Sequence, residues 1–182
     1  MSLVAISGNA SGTGTLTIAA PNTNSNYTLT LPTNTGTLIS TKSAGTVLQV
    51  VNATDSTQLS TSSTSYVDTG LSASITPTSS TSKILIFIEQ TGVGKNAGGS
   101  GFRVALNILR DSTQLIQFEL GAGYTASSVV NVFGSSGANY LDSPASTSSI
   151  TYKTQIKGFD GGTVYANYDN CTSTITLMEI AA

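Results

Sequence analysis

The sequence contains no histidine, no tryptophan, one cysteine and four prolines, and it has no charged residue before Lys42. Each shortage excludes something. Without histidine there is no Ser-His-Asp or Cys-His nucleophilic machinery, and the commonest zinc ligand is missing, so no catalytic residue, metal or cofactor is expected. Cys171 stands alone, forms no disulfide within the chain and leaves the redox compartment unread. Only 9% of residues are charged, and the seven Lys and Arg are scattered among nine Asp and Glu for a net charge of −2. Phosphate binding needs a clustered basic face, so no nucleic-acid partner is expected. No run of eighteen apolar residues occurs, so no membrane insertion is expected. The first ten residues have neither the basic start nor the apolar stretch of a signal peptide.

What is present is Ser, Thr, Gly and Asn in quantity, with 38% hydrophobic residues over 182 positions. That length suits one domain, or one domain with an appendage, and is long enough to bury a core. Thr favours strands through its branched Cβ, so the polar composition is read as strand surface rather than disorder. Four Asn-x-Ser/Thr triplets, at Asn9, Asn26, Asn52 and Asn170, are what this composition produces without selection for glycosylation.

Residues 11–40 are uncharged and hold three β-type pulses, Thr15-Leu-Thr-Ile18, Tyr27-Thr-Leu-Thr-Leu31 and Thr37-Leu-Ile39, each bounded by Gly, Asn or Pro. Such a strand cannot bury enough area alone to offset the entropy of ordering it, so residues 1–41 are expected to be an extended segment needing a partner surface. The partner is either the same segment of neighbouring chains or another protein.

Residues 42–182 read as a separate domain. Val47-Leu-Gln-Val-Val51 opens it, residues 52–65 read as a polar loop or edge hairpin, and Tyr66-Val-Asp-Thr-Gly-Leu71 is a short strand. Lys83-Ile-Leu-Ile-Phe-Ile-Glu89 is the most apolar run and does not alternate, which predicts a strand covered on both faces, with a neighbouring subunit available as the second cover. Residues 92–101 read as a glycine-rich loop. Phe102, Val104, Leu106 and Ile108 alternate with polar or small residues, Arg110-Asp-Ser-Thr113 turns the chain, and Ile116, Phe118 and Leu120 alternate on the return, which is the clearest hairpin. Further strands are expected at 129–133, 150–156, 164–168 and 175–180, with a turn at Phe159-Asp-Gly-Gly162. Eight or so short strands without a helical period predict an all-β fold, an antiparallel β-sandwich of the jelly-roll kind.

Candidate chemistry is thin. A glycosidase pair would have to come from Asp55, Asp68, Asp111, Asp142, Asp160 and Asp169, which fall in turns or at strand ends where Asp ordinarily serves its own backbone. Gly92-Val-Gly-Lys-Asn-Ala97 loosely matches a dinucleotide loop, but the residues after it alternate with period two where that motif needs a helix. Phe87, Phe102 and Phe118 are expected to face the core. Tyr124 and Tyr140 fall in Gly/Ser-rich connections and are the weak candidates for receptor binding, against the plainer reading of rings packed at the domain rim.

The segments Gly12-Thr-Gly-Thr-Leu-Thr-Ile18, Asn26-Tyr-Thr-Leu-Thr-Leu-Pro32 and Thr35-Gly-Thr-Leu-Ile39 resemble the Thr/Leu/Pro repeats of tail-fibre and other virion appendage proteins of tailed bacteriophages. Gly45-Thr-Val-Leu-Gln-Val-Val51, Thr64-Ser-Tyr-Val-Asp-Thr-Gly70, Ser82-Lys-Ile-Leu-Ile86 and Ile175-Thr-Leu-Met-Glu-Ile180 resemble the C-terminal heads of such proteins. The resemblance implies a homotrimer, with an N-terminal segment docked to other virion proteins of the tail, baseplate or capsid. It also implies a jelly-roll head similar to the trimeric heads of the tumour necrosis factor and complement type. Ile84 to Ile88, Leu177 and Met178 would then suit a threefold interface. The implied function is host attachment through a surface glycan or protein at the exterior of the virion, after synthesis in the host cytoplasm. A capsid decoration or cement protein (head fibre) is the alternative, and a surface-polysaccharide depolymerase stands further off.

Overall fold

The computed structural model describes residues 11–13, 24, 44–96, 102–122 and 131–182. By its contacts the chain divides after Thr37, and nearly all described residues belong to the second unit, Leu38–Ala182. The expected extended segment 1–41 therefore lies outside the described residues, apart from 11–13 and 24.

Among the described residues ten strands run in order: β1 (Val47–Asp55), β2 (Leu59–Thr61), β3 (Val67–Ile75), β4 (Lys83–Lys95), β5 (Val104–Arg110), β6 (Thr113–Ala122), β7 (Asn131–Asp142), β8 (Ile150–Gly158), β9 (Val164–Ala166) and β10 (Ser173–Ile180). A 3-10 turn, Tyr168–Asn170, precedes β10. The pairings are antiparallel, and five of them nest: β1 with β10, β2 with β9, β3 with β8, β4 with β7, and β5 with β6. That is one long hairpin, paired along its length and rolled up. Cross-pairs β10 with β4 and β5 with β8 close the roll. The result is two sheets, β1-β10-β4-β7 and β3-β8-β5-β6, with the short β9 and β2 continuing the first sheet beside the far end of β4. This is the jelly-roll order anticipated from the strand spacing.

Period-two alternation sets which side chains fill the space between the sheets. On β8 the inward residues are Ile150, Tyr152, Thr154 and Ile156; on β10 they are Ser173, Ile175, Leu177 and Glu179. Two apolar clusters result. One holds Leu71, Ile75, Ile84, Ile86, Ile108, Tyr152, Ile175 and Leu177; the other holds Val93, Phe102, Val104, Leu106, Ile156 and Val164. Each fully buried Ile or Leu contributes about 1.5–3 kcal/mol over exposure.

Between the clusters runs a buried polar chain. The Thr69 hydroxyl donates to Thr154 (2.6 Å), Thr154 donates to Gln90 Oε1 (2.8 Å), and Gln90 Nε2 donates to Asn167 Oδ1 (3.0 Å) and Ser173 Oγ (2.8 Å). Asn167 Nδ2 then donates to Asp55 Oδ2 (2.6 Å) and the Thr57 carbonyl (3.1 Å). Gln90, Thr154, Asn167 and Ser173 are all fully buried, and every one is satisfied, so the chain ties the second sheet to the first in a single register. Gly92 makes room for it: with φ 56°, it lies where a Cβ would sit 2.2 Å from the Tyr168 nitrogen.

Four expectations need correction. Phe87 is not a core residue: in β4 Ile84, Ile86 and Ile88 point inward, while Leu85 is half-buried and Phe87 is 38% exposed on the outer side, the face for which a second cover is expected. Residues 92–95 are strand rather than loop, because the bulges after Gln90 and Val93 let glycines 92 and 94 stay in β4. Residues 134–142, read as a connection, continue β7, since Gly137 packs against Glu89 where a Cβ would come within 2.8 Å of that carboxylate. The region 52–65 contains ordered strand, the end of β1 and all of β2.

Candidate functional site

The two outward faces of the sandwich differ in chemistry. On the first sheet the register aligns Val50 with Met178, Met178 with Leu85, and Leu85 with Leu141, an apolar row across all four long strands. Val50 is 55% exposed, Leu141 49% and Val47 48%, with Phe87 beside them in the next row between Thr176 and Asn139. Leu177, one of the residues suited to an interface by the resemblance, faces the core; its neighbour Met178 is the one in this row.

On the second sheet the outer face is a polar lattice interrupted by Leu120, which pairs with Ala105 in the row of Lys157 and is 56% exposed. Asp68 pairs with Lys153 at 2.8 Å and accepts from Gln155 at 2.8 Å. Burial pushes the Asp68 carboxyl up, but the bonds from Lys153 and Gln155 outweigh it and hold the group below its ordinary range. Tyr66, just before β3, reaches over the neighbouring strands so that its hydroxyl donates to Gln117 Oε1 on β6 (2.8 Å). Its partial burial raises its pKa. Lys157 Nζ lies between two rings, 4.6 Å from the centre of Tyr66 and 4.9 Å from that of Phe159, and the Arg103 guanidinium lies 4.2 Å over Phe159. Beneath this cover is Asn107 of β5, opposite both Gln155 and Gln117, 1% exposed. Its Nδ2 donates to Gln114 at 3.0 Å, and its Oδ1 has no donor among the described residues.

The sequence-level candidates do not assemble here. Tyr140 is half-buried on β7 and packs against the core cluster, because it shares a face with Ala138. Tyr124 lies outside the described residues. The six aspartates are dispersed and mostly occupied. Asp142, buried, takes two bonds from Arg110 (both 2.9 Å) and one from the Tyr152 hydroxyl (2.7 Å). Asp55 holds Asn167, and Asp111 accepts from the Thr151 amide at 3.0 Å. Asp160 and Asp169 stand in left-handed turn conformations, φ 59° and 55°. Among the described residues no cluster of three acidic or thiol groups could hold a metal ion. A concavity of about 400 Å³ between Leu48, Thr78, Ser82 and Ala181 offers hydroxyls and methyls but no charge.

Sequence reasoning misses the cluster of Tyr66, Phe159, Lys157 and Arg103. Lys157 and Phe159 are two apart at the end of one strand, a spacing that puts both on one face. Nothing local brings Tyr66 and Arg103 to them.

No protein-family model matches the chain, and no curated protein matches it. Among solved structures it is similar to proteins of infectious bursal disease virus. The structure of the Gx strain matches with a TM-score of 0.41 and 17% identity over 74% of this chain and 37% of the other. The VP2 subviral particle matches with a TM-score of 0.41 and 18% identity over 74% and 38%. The chain thus spans little more than a third of the length of those proteins.

Proposed function

We propose that this chain is a structural protein of a virus particle, a trimeric appendage whose jelly-roll head self-associates and presents a polar face to the host surface. One observation carries the reading: the apolar row Val50, Met178, Leu85 and Leu141 on the outside of the first sheet, which leaves large side chains in water in a single chain. A contiguous exposed apolar face on a small, charge-poor domain is the usual mark of an association surface. Closed symmetry with three copies is the arrangement implied by the fibre resemblance of residues 12–39, and three weak sites held together gain through effective concentration. Residues 1–41 serve in this reading to dock the head to the tail or capsid exterior. The chain is not an enzyme in this reading, and it works without cofactor.

The test is the solution mass of the full chain by light scattering after size exclusion, expected at three times 18.5 kDa. A mass of 18.5 kDa at micromolar concentration would sink the trimer. The same apolar face also fits a decoration protein lying against capsid subunits. Labelled protein on intact particles separates the two, by marking either tail or capsid. Release of reducing sugar from host surface polysaccharide would overturn the non-enzymatic assignment.

A further inference from the structure

We propose that the outer face of the second sheet is a binding site for acidic saccharide units, sugars bearing a carboxylate, centred on Lys157 between Tyr66 and Phe159. This rests on the host-attachment reading above and gives it a place and a ligand class. Three observations converge on the same few residues.

The first is charge without a partner. Arg110 and Lys153 have carboxylates at 2.9 and 2.8 Å, whereas neither Lys157 nor Arg103 has one within salt-bridge distance among the described residues. Both are instead held by rings, Lys157 at 4.6 and 4.9 Å and Arg103 at 4.2 Å. A ring quadrupole positions a cation without neutralising it, so two fixed positive charges stand ready for an anion. The second is the pairing of rings with amides. Aromatic faces suit the apolar C–H face of a pyranose, and a planar amide such as Gln117 suits its hydroxyls. The third is the acceptor in the floor: Asn107 Oδ1 is buried and has no donor among the described residues. Such a group costs about 1–3 kcal/mol, and a sugar hydroxyl is a donor of the right kind to relieve it. The bond from Tyr66 to Gln117 that spans this floor is exposed to water, so a ligand hydroxyl can replace it at small net cost.

Charge complementarity decides between saccharides. A neutral sugar would cover the two cations without replacing their water, which is unfavourable; a sugar carboxylate compensates them. A polyphosphate chain is the poorer fit, because the protein's net charge is −2 and the basic pair is isolated.

The test is saturation-transfer NMR of the full chain with sialyllactose, trigalacturonic acid and lactose, and with inorganic phosphate, which has no C–H proton to observe, read as a competitor against sialyllactose. Binding of both acids is expected, with lactose at least about tenfold weaker and phosphate weaker than either acid. Lys157→Gln combined with Arg103→Gln should weaken the acids at least about tenfold, while Lys153→Gln, on the same face but already paired, should leave them within about twofold. A thermal melt checks that the double variant folds; should it not fold, Phe159→Leu and a salt titration of the unaltered chain take its place, each expected to weaken acid binding. Equal binding of lactose and the acids, equal binding of phosphate, or a folded double variant that binds as before would each overturn the assignment. Adsorption of labelled protein to host cells separates this from the broader reading. Adsorption that survives in the double variant removes this site and keeps host attachment, and failure of the unaltered protein to adsorb removes host attachment itself.

Discussion

The outside of the first sheet and the outside of the second are built on the same strand geometry and reach opposite solutions. On the first, register places Val50, Met178, Leu85 and Leu141 in one row, with no charge to interrupt it. On the second, the corresponding positions carry Lys153, Gln155, Lys157 and Gln117, tied to Asp68 and Tyr66 by hydrogen bonds and ring contacts. The inward faces of the two sheets do not differ in this way; both are largely Ile, Leu and Val. The contrast teaches that the core specifies the sandwich, while the outward positions are free to differ, one face carrying an apolar row and the other a largely polar one.

That contrast depends on the sheets keeping their register, so the largest effect is expected from breaking the polar chain between them. Asn167→Ala removes the donor to Asp55 and the acceptor of Gln90 together, and should cost about 3 kcal/mol in urea unfolding. Gly92→Ala attacks the same place through the backbone and should cost at least about 2 kcal/mol, since the Tyr168 nitrogen has no room to move away. A cost under about 0.5 kcal/mol for either would mean that the polar chain does not hold the sheets together.

The next effect sharpens the contrast itself. Val50→Glu with Leu141→Glu places charge at both ends of the apolar row, and should convert the expected trimer to single chains in light scattering. The monomer's stability should change by less than about 1 kcal/mol, because both side chains are already half in water. An unchanged mass would put the association surface elsewhere.

Acid gives a smaller, graded effect. Glu179 is buried near the end of β10, where burial raises its pKa but bonds from the Gln49 amide, the Thr78 hydroxyl and the Thr78 amide, with the Ser82 hydroxyl close by, bring it below the ordinary 4.5. The unfolded chain therefore takes up this proton first as pH falls. The stability contributed by Glu179 is complete above about pH 5 and is lost as pH drops through the folded-state value. Urea midpoints measured from pH 6 to pH 3 should fall, and Glu179→Gln should flatten that fall. The smallest effect is expected on the polar face: Lys153→Ala should cost under about 1 kcal/mol, because Asp68 is half exposed and the pair is screened.

Much of the fold is legible in the sequence. The strands at Ile150 and Ile175 alternate strictly, and alternation is a local signal. The hairpin of Phe102 to Leu120 pairs as expected, but bulges between β5 and β6 break its alternation and leave Leu120 56% exposed. The all-β class and the sandwich follow from strand length and turn spacing. Glycine misleads: Gly92, Gly94, Gly134 and Gly137 read as loop, yet each sits in a strand where a bulge or a tight neighbour calls for it. Phe87 misleads in the opposite way, since an unbroken apolar run does not reveal which alternate residues lack a cover. Tyr140 reads as loop for want of β-branched neighbours, whereas in the structure it packs against the core. The polar cluster around Lys157 leaves no mark in the sequence beyond the spacing of Lys157 and Phe159, because its other members arrive from distant strands.

The sequence by itself determined the all-β class and the strands that alternate, because side-chain period and turn chemistry act over a few residues. It also determined the absence of histidine chemistry and the charge-free start of the chain. Only the tertiary structure decided which strands became neighbours, and hence that Val50, Leu85, Leu141 and Met178 form one row and that Tyr66, Arg103, Lys157 and Phe159 form one cluster. Apart from Lys157 and Phe159, these residues are separated by tens of positions along the chain, and a nested roll of hairpins brings together residues that no local pattern relates.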